Sequence, residues 1–290
     1  MPINDFLGDR MKNYEARNQY WLQTRTPVII RVDMRAGHTF TKDFQRPFDE
    51  VFGNSMVRTM EYCAANIGNC VFAYCQSDEI TFVLSDYRKL NTDAWFSYRT
   101  DKLCSIAASM ATMAFNKFFE QEWQKAWPLD KVSQNPDLVT RYYDASEKGA
   151  MFDARCFNIP KEEVANLIYW RQLDATRNSI QMVGQANFSH KELHGKSCNE
   201  IQDMLMTQKG INWNDFPTYQ KRGSCCVKST TTVTYATQDE DGNVVTGSAE
   251  RPRWYIDKNI PIFKTDGREY IDKLVQLECC CSRQAVAMIN

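Results

Sequence analysis

Hydrophobic and polar residues follow two different periods along the first two thirds of the chain. Short runs of β-branched and aromatic residues predict buried strands at 27–33, 70–75, 80–84 and 151–159. Apolar residues spaced three or four apart predict helices over 48–67, over 95–123 and from Pro160 through Gln185. The resulting order is β-α-β-β-α-β, followed by an extra helix.

This order predicts an α/β fold, more exactly an α+β fold with a ferredoxin-like sheet. A sheet of this type also forms the palm of polymerases. In such a unit the first and third strands lie side by side at the centre of the sheet. The first strand ends at Asp33, and the third follows a four-residue hairpin tip, QSDE, at 76–79. We therefore expect Asp33 and Asp78 to lie close together at one edge of the sheet.

The last third of the chain is less regular. Strands at 230–236 and 254–257, joined by the turn signal Asp241-Gly242, predict a C-terminal β-hairpin, and 273–289 predicts a closing helix. We predict a palm-like domain at 1–187 and an extension of helices and hairpin at 188–290, packed on the palm. No linker composition marks the boundary between them.

Composition narrows the class of protein. The chain has 290 residues, 43% of them hydrophobic and 24% charged, which is typical of a globular protein with a sizeable core. Lys and Arg number 35 against 36 Asp and Glu, so a polyanion would have to bind a local basic patch. The start is too charged for a signal peptide and no apolar run could span a bilayer. We therefore expect a cytoplasmic protein without membrane contact, with reduced cysteines.

Asp33, Asp78 and Glu79 place carboxylates at the ends of buried strands. Two such groups repel each other, and a hard divalent cation relieves the repulsion. Mg²⁺ is usually held by one or two carboxylates with phosphate oxygens and water, and two ions together can stabilise a phosphoryl transfer. The residues alone leave open the alternative that these are ordinary turn and capping side chains.

Five ordered segments resemble the motifs of one enzyme family. They are RVDMRAGHTFTK at 31–42, RPFDE at 46–50, AYCQSDE at 73–79, MFDARCFNIP at 151–160 and WRQLDATRNSI at 170–180. The family is the tRNA(His) guanylyltransferases, and the pattern is most similar to the bacterial-type branch of guanylyltransferase-like 3′-to-5′ polymerases. The resemblance spans about residues 27–225. Five motifs in order are far more specific than any one alone.

The resemblance implies a Mg²⁺-dependent nucleotidyltransferase that adds nucleotides to the 5′ end of tRNA. In this family a 5′-monophosphate is first activated by ATP or GTP, which releases pyrophosphate. The 3′-hydroxyl of an incoming NTP then attacks the activated phosphate. The resemblance also implies two Mg²⁺ ions per active site and a homotetrameric assembly.

Matched position by position, the family motifs imply roles for individual residues. Asp33 and Asp78 match the metal carboxylates, the backbone carbonyl of Met34 matches a further metal ligand, and Glu79 matches a neighbouring catalytic acid. The residues implied to bind the nucleotide are Arg35, Ala36, Gly37, His38, Thr39, Phe40, Arg46 and Ser77.

Three departures from the family pattern bear on function. Met34 replaces a glycine, so its carbonyl can bind a metal only if its φ and ψ suit a residue with a Cβ. Gly37 replaces an aromatic residue, and it either opens the nucleotide pocket or supplies the turn of the lost glycine. Only Asn178 remains of the H-x-N-N-x-x-N run of eukaryotic members, which favours template-directed repair of 5′-truncated tRNA over strict histidine-tRNA guanylylation.

Polar and basic residues in the later segments are candidate RNA contacts. They are Arg171, Arg177, Asn178, Lys196, Lys221 and Arg222. Phosphate contacts of this kind hold an RNA without reading its sequence, and a solvated charged surface is the alternative for each.

His190 and His194 lie four apart, but no third metal ligand is evident, so we expect a surface role for them.

Two other functions remain open from sequence. A palm-type nucleotidyl enzyme without an RNA substrate, such as a cyclase, would turn over NTPs regardless of RNA. A non-catalytic RNA-binding member of the fold, inactivated through Met34 and Gly37, would bind tRNA without extending it.

Overall fold

The computed structural model describes residues 6–89, 91–128, 134–238 and 244–276. Six described strands form one antiparallel sheet: β1 (Val28–Met34), β2 (Cys70–Gln76), β3 (Glu79–Leu84), β4 (Phe152–Asn158), β5 (Ser224–Gln238) and β6 (Val244–Asp257). Their order across the sheet is β4-β1-β3-β2-β5-β6. The first four positions are the ferredoxin-like arrangement, so the predicted fold class is confirmed.

Helices cover both faces of this sheet. The described α-helices are α1 (Phe6–Ala16), α2 (Gly37–Phe40), α3 (Glu50–Asn66), α4 (Thr100–Ala126), α5 (Pro136–Lys148), α6 (Val164–Asn187), α7 (His190–Leu193), α8 (Cys198–Lys209), α9 (Thr218–Arg222) and α10 (Glu269–Val275). Short 3₁₀ turns lie at Trp95–Tyr98, Lys161–Glu163, Trp213–Asp215 and Thr265–Arg268. None of the described helices combines the length and the apolar character needed to cross a bilayer.

Alternate residues of the central strand β1 pack in opposite directions, because successive side chains of a strand point to opposite faces. Ile30 belongs to the core that includes buried residues of α3 and α4. Ile29 belongs to a second core, with buried residues of α6 and α10. This double coverage explains why the central strands read as unbroken apolar runs, and it makes the sheet a rigid platform for the side chains at its edge.

The hairpin between β2 and β3 is tighter than predicted. Gln76 and Glu79 pair with each other and belong to the strands. The prediction of a four-residue tip is therefore wrong, because the turn consists of Ser77 and Asp78 alone. Ser77 has φ 50°, in the left-handed region that is uncommon outside glycine. This strained turn fixes the position of the aspartate that follows.

Other helix boundaries differ modestly from the sequence predictions. Trp95–Tyr98 is a 3₁₀ turn before α4 begins at Thr100, and α5 was not predicted. α5 begins after an Asn135 cap whose side chain accepts from the Leu138 N–H. Its buried residues are Leu138, Tyr142 and Ala145, and the partly buried Val139 packs against the same core.

The predicted C-terminal hairpin is present and extends the palm sheet. β5 pairs with β2 over 224–227, and β6 pairs with β5 along its whole length. Both strands are longer than predicted, while the turn at Asp241-Gly242 lies outside the described residues. The closing helix predicted at 273–289 overlaps α10, which begins earlier, at Glu269, and ends at Val275, while 277–289 lies outside the described residues. Sheet pairing therefore crosses the proposed boundary at 187/188, which remains a prediction.

Candidate active site

Three carboxylates form one row across the sheet. Asp33 of β1 lies directly opposite Glu79 of β3 and directly opposite Asp153 of β4. Residues directly opposite each other on antiparallel strands point to the same face, so these side chains share a face at the end of β1. Asp78 lies in the adjoining turn, where its backbone carbonyl accepts from the Met34 N–H at 3.1 Å. The structure thus brings Asp33 and Asp78 together.

Within this row, the nearby arginines compensate the Asp33 carboxylate only in part. Burial, then the carboxylates of Asp78 and Asp153, raise the pKa of Asp33 above its ordinary value. Arg155 opposes this shift with its Nη2 atom 4.0 Å from Asp33 Oδ2 and 3.2 Å from Asp153 Oδ1. Because like charges disfavour ionisation, a cation bound beside Asp33 would release stored repulsion. Sequence reasoning missed Asp153 and Arg155, although both lie in the quoted segment MFDARCFNIP.

The donor set suits Mg²⁺ better than a softer metal. Across the described residues, no three His, Cys, Asp or Glu side chains group closely enough to hold a metal by themselves. Mg²⁺ needs only one or two carboxylates when substrate phosphates and water complete its shell, so Asp33 and Asp78 with the Met34 carbonyl fit it. Met34 is a strand residue with a buried side chain and is absent from the positive-φ residues, so its backbone does not require glycine.

Glu79 is placed differently from its two neighbours. Its side chain is buried, and its Oε1 atom accepts from Arg171 Nε at 2.7 Å while Oε2 lies 3.7 Å from Arg31 Nε. Burial raises the pKa of Glu79 and the two arginines oppose that shift. Arg171 also donates from Nη2 to Asp174 Oδ2 at 2.9 Å. The pair therefore ties β3 to α6 directly behind the carboxylate edge.

A cleft beside the carboxylate edge, the phosphate cleft, has a volume of about 280 Å³. Of the predicted nucleotide-binding residues, Gly37, His38, Arg46 and Ser77 line it, together with Asp78. Lys42 also lines it and was missed, although it ends the quoted segment RVDMRAGHTFTK. Arg35, Ala36, Thr39 and Phe40 are not part of its lining. The cleft offers cations and a hydroxyl next to the Asp78 carboxylate, a combination that suits a metal-bound triphosphate.

Phe40 serves the core instead of the cleft. Its ring packs edge-on against Phe44, Phe115 and Phe119, with centroids 5.2–5.8 Å apart. Ala36, at φ 54°, supplies the left-handed residue that precedes α2. Together they orient the segment that carries Gly37 and His38 into the cleft.

The far wall of the phosphate cleft is held by Asp49. This residue caps α3, where its Oδ1 accepts from the Phe52 N–H at 2.8 Å. Its Oδ2 accepts from the Gln45 N–H at 3.0 Å and from the buried Tyr142 hydroxyl at 2.6 Å. Burial raises the pKa of Asp49 despite these hydrogen bonds. The loop carrying Arg46 is therefore fastened at both the helix and the core.

The Asp78 carboxylate occupies the space that a side chain at position 37 would need. A Cβ at position 37 would lie 2.0 Å from Asp78 Oδ2, which is impossible without moving the carboxylate. Gly37 therefore permits a close approach of α2 to the carboxylate edge, while the left-handed turn belongs to Ala36. The alternative that Gly37 supplies the turn of the lost glycine is therefore wrong, and the alternative that it opens the nucleotide pocket stays a prediction.

We expect Gly37→Ala to lower the rate of nucleotide transfer by about 10²-fold, because displacing a catalytic group by roughly 1 Å has effects of that size. The fold should persist, since alanine is the better helix former by about 1 kcal/mol. Single-turnover rates and the melting temperature measured on the same sample separate the two effects. An unchanged rate would show that Asp78 tolerates displacement.

The predicted RNA contacts divide into two groups. Arg171 and Lys221 are each 8% exposed and have protein partners, Glu79 for the first and the Asn214 carbonyl for the second. Because their charges lie inside the protein, the structure does not support an RNA contact for either. Arg177 and Lys196 are exposed, and Asn178 and Arg222 are half-buried.

The histidine pair agrees with a surface position. His190 begins the four-residue helix α7, and its ring centroid lies 6.1 Å from that of His194. Both residues are exposed. No further histidine, cysteine or acidic side chain joins them into a metal-binding group within the described part of the chain.

Comparison with known proteins agrees with this geometry. The family model described as Thg1, tRNAHis guanylyltransferase, matches residues 8–160, more than half of the chain. A curated relative from Saccharomyces cerevisiae, named tRNA(His) guanylyltransferase, is 26% identical over 215 residues, covering 68% of this chain and 80% of the relative. An uncharacterized protein, R259, of Acanthamoeba polyphaga mimivirus is 27% identical over 231 residues, 76% of each chain.

Two solved structures are similar over nearly the whole chain. A bacterial tRNA(His) guanylyltransferase (Thg1)-like protein in complex with ATP is 38% identical, with a TM-score of 0.74, covering 93% of this chain and 99% of the other. A bacterial protein of the same description in complex with GTP is 36% identical, with a TM-score of 0.72 and coverage of 94% and 100%. The chain belongs to the tRNAHis guanylyltransferase family, in its bacterial-type branch, and is a nucleotidyltransferase.

Proposed function

We propose that this enzyme adds nucleotides in the 3′-to-5′ direction to the 5′ end of tRNA, with Mg²⁺ at Asp33 and Asp78. The observation that carries the proposal is the juxtaposition of this carboxylate pair with the phosphate cleft. Relatives named tRNA(His) guanylyltransferases and similar structures in complex with ATP and GTP support the same chemistry. We further propose a cytoplasmic homotetramer, from the family resemblance.

The proposed reaction has two displacements at phosphorus. An oxygen of the tRNA 5′-monophosphate attacks the α-phosphorus of ATP or GTP, and pyrophosphate leaves. The 3′-hydroxyl of the incoming NTP then loses its proton and attacks the activated 5′-phosphorus, and the nucleoside monophosphate leaves. Both steps depend on in-line positioning and neutralisation of charge on phosphate oxygens.

The residues of the cleft supply the positioning. Arg46, Lys42 and His38 line the side where the triphosphate would lie, and the Ser77 hydroxyl can donate to a phosphate oxygen. Asp33, Asp78 and the Met34 carbonyl would hold two Mg²⁺ ions, which when bound neutralise phosphate charge and stabilise the attacking and leaving oxygens. The Glu79–Arg171 pair keeps the Ser77-Asp78 turn in place.

We propose that the acceptor is a tRNA lacking nucleotides at its 5′ end, with the opposite strand as template. The support is the sequence at 176–182, where only Asn178 remains of the run found in eukaryotic members. Full-length histidine tRNA is the second candidate, because the curated relatives carry that name.

The two acceptors can be compared directly. The enzyme is incubated with Mg²⁺, ATP and all four NTPs and with 5′-monophosphorylated tRNA, either full-length histidine tRNA or a transcript lacking its first nucleotide. Faster extension of the truncated transcript, by the nucleotide that restores pairing, is the expected result. Preference for the full-length tRNA would favour the second candidate. NTP turnover without extension of either would point to a palm enzyme with another substrate.

Arg177→Ala is expected to weaken tRNA binding. The negative slope of log K, the association constant, against log salt concentration should become shallower by about 0.7–0.9, the contribution of one phosphate contact. The side chain is 61% exposed and projects from α6 beside its ion-pair partner Asp174. Filter binding at several salt concentrations measures the slope. Lys161→Ala, which removes an exposed cation at the other end of the α6 segment, is the control. Equal slopes for both variants and the wild type would remove Arg177 from the RNA surface.

A further inference from the structure

Two cysteines on different elements lie in sulfur-to-sulfur contact. Cys104 is on α4 and Cys156 is on β4, and their Sγ atoms are 3.5 Å apart. Both side chains are half-buried. Of the eight cysteines in the described ranges five are buried, and the third half-buried one, Cys198, begins α8. The contact therefore joins two thiols that small molecules in solution can reach.

The Cys156 thiol lies over the first turn of α4. It donates to the Thr100 carbonyl oxygen, 3.8 Å from its Sγ atom, and it accepts from the Cys104 thiol, one helical turn further along. Thiols are weak donors and acceptors, so these contacts do not fix either side chain strongly. A disulfide has an S–S length of about 2.05 Å, so the two sulfurs would have to approach by roughly 1.5 Å. Rotation between side-chain rotamers moves a sulfur far enough for that approach.

The contact lies at the edge strand of the sheet. β4 pairs with β1 alone among the described strands, and α4 packs along it. β4 also carries Asp153 and Arg155, the ion pair next to Asp33. A covalent bond between Cys156 and α4 would fasten this strand immediately beside Arg155. It would link residues 52 apart in sequence, which stabilises a protein by restricting the unfolded chain.

We propose that Cys104 and Cys156 form a reversible oxidation site, where a peroxide converts the two thiols to a disulfide that joins β4 to α4. Cys104 loses its proton and attacks an oxygen of hydrogen peroxide, giving a sulfenic acid and one water. Cys156 loses its proton and attacks that sulfur, which forms the S–S bond and releases a second water. The two thiols give up two electrons and two protons, and the peroxide takes up both. A small thiol such as glutathione reverses the reaction by exchange.

The surroundings of the two thiols assign their roles. Burial, then the hydrogen bond from Cys104, raise the pKa of Cys156 to about 12. Because the thiolate is the nucleophile, Cys156 reacts slowly with peroxide at neutral pH, and Cys104 is the thiol attacked first. A sulfenic acid in contact with a second thiol condenses to a disulfide, whereas an isolated one goes on to an irreversible sulfinic acid. The pair therefore protects its own sulfurs from lasting damage.

The test exposes the reduced wild-type protein to hydrogen peroxide and maps its tryptic peptides. We expect peptides 103–117 and 156–161 to be joined by a disulfide within one chain. Closing this loop should raise the melting temperature by about 3–6 °C. Dithiothreitol should separate the peptides and restore the original melting temperature. Nucleotide transfer should persist in the oxidised enzyme, because α4 already packs along β4 when the thiols are reduced.

Single substitutions separate the two roles. In Cys156→Ser, Cys104 has lost its resolving thiol, so peroxide should leave a sulfenic acid there that dimedone labels. Cys104→Ser should take up no dimedone at Cys156 under the same conditions. Cys198→Ser is the matched control, because it removes the third half-buried thiol and should keep both the joined peptides and the rise in melting temperature.

Other outcomes overturn the inference. Disulfides to Cys198, or between two chains only, would mean that the contact does not direct oxidation. A lower melting temperature of the joined protein would show that the bond strains the packing of α4 on β4. Loss of transfer that dithiothreitol restores would contradict the protective role. If either variant fails to fold, the wild-type peptide map decides alone, and none of these results depends on the RNA acceptor.

Discussion

Asp78→Asn should abolish nucleotide transfer to the limit of detection, a loss of at least about 10³-fold. The substitution keeps the shape of the side chain but removes one of the two charges that would hold Mg²⁺ beside Asp33. A metal that neutralises phosphate charge contributes several kcal/mol in the transition state, and each 1.36 kcal/mol is worth tenfold in rate. Single-turnover kinetics at saturating Mg²⁺ measure the loss.

Asp78→Asn should nonetheless leave the fold intact. The hydrogen bond that joins the turn to β1 uses the backbone carbonyl of Asp78, which the substitution retains. Removing this carboxylate also removes one of the groups that raise the pKa of Asp33, so the repulsion at the edge falls. Asp203→Asn, at an exposed position on α8, is the matched control. Activity of the Asp78 variant within tenfold of that control would contradict a metal role for Asp78.

Arg171→Met should lower the free energy of unfolding by about 3–5 kcal/mol, because it leaves the buried Glu79 carboxylate without its closest counter-ion. The pair is well enclosed, with side chains 9% and 8% exposed and a 2.7 Å contact. Arg31, whose Nε atom lies 3.7 Å from Glu79 Oε2, compensates only in part. Urea unfolding with the slope fitted separately measures the change.

Two further variants isolate the buried charge as the cause. Arg177→Met removes an arginine from the same helix and from the same partner, Asp174, but at an exposed position, so it should cost under about 1 kcal/mol. The double variant Glu79→Gln with Arg171→Met should recover part of the lost stability, since no buried carboxylate is left without its closest counter-ion. The recovery is partial because Arg31 loses its contact with Glu79. Equal losses for Arg171→Met and Arg177→Met would contradict the structural role given to Glu79.

The sequence predicted the centre of the fold because local pattern and topology agree there. β1, β2 and β3 are buried on both faces, so their β-branched and aromatic runs are visible in the sequence, and the order of elements then places Asp33 beside the turn at Asp78. α5 was missed although the sequence carries its signal: Asn135 and Pro136 can start a helix, and Leu138, Tyr142 and Ala145 recur at positions i, i+4 and i+7.

What remained hidden in the sequence depends on how elements pack. From the sequence, Arg171 is expected to be a surface cation in a basic segment. In the structure, α6 packs on the sheet and buries Arg171 against Glu79, 92 residues away in sequence. From the sequence, Gly37 is only a position where an aromatic residue is missing. In the structure, glycine is needed there because a Cβ would lie 2.0 Å from Asp78 Oδ2. Such contacts join distant segments, and no local period encodes them.

The most direct test of the central claim follows the first chemical step. Wild-type enzyme, Asp33→Asn and Asp78→Asn are each mixed with Mg²⁺, ATP labelled at the α-phosphate and a 5′-monophosphorylated tRNA that lacks its first nucleotide. The account predicts that the wild type transfers label to the RNA as a phosphatase-resistant 5′-adenylyl group, and that neither variant does so. Label transfer by both variants at the wild-type rate, or none by a wild-type enzyme that binds the tRNA, would contradict it.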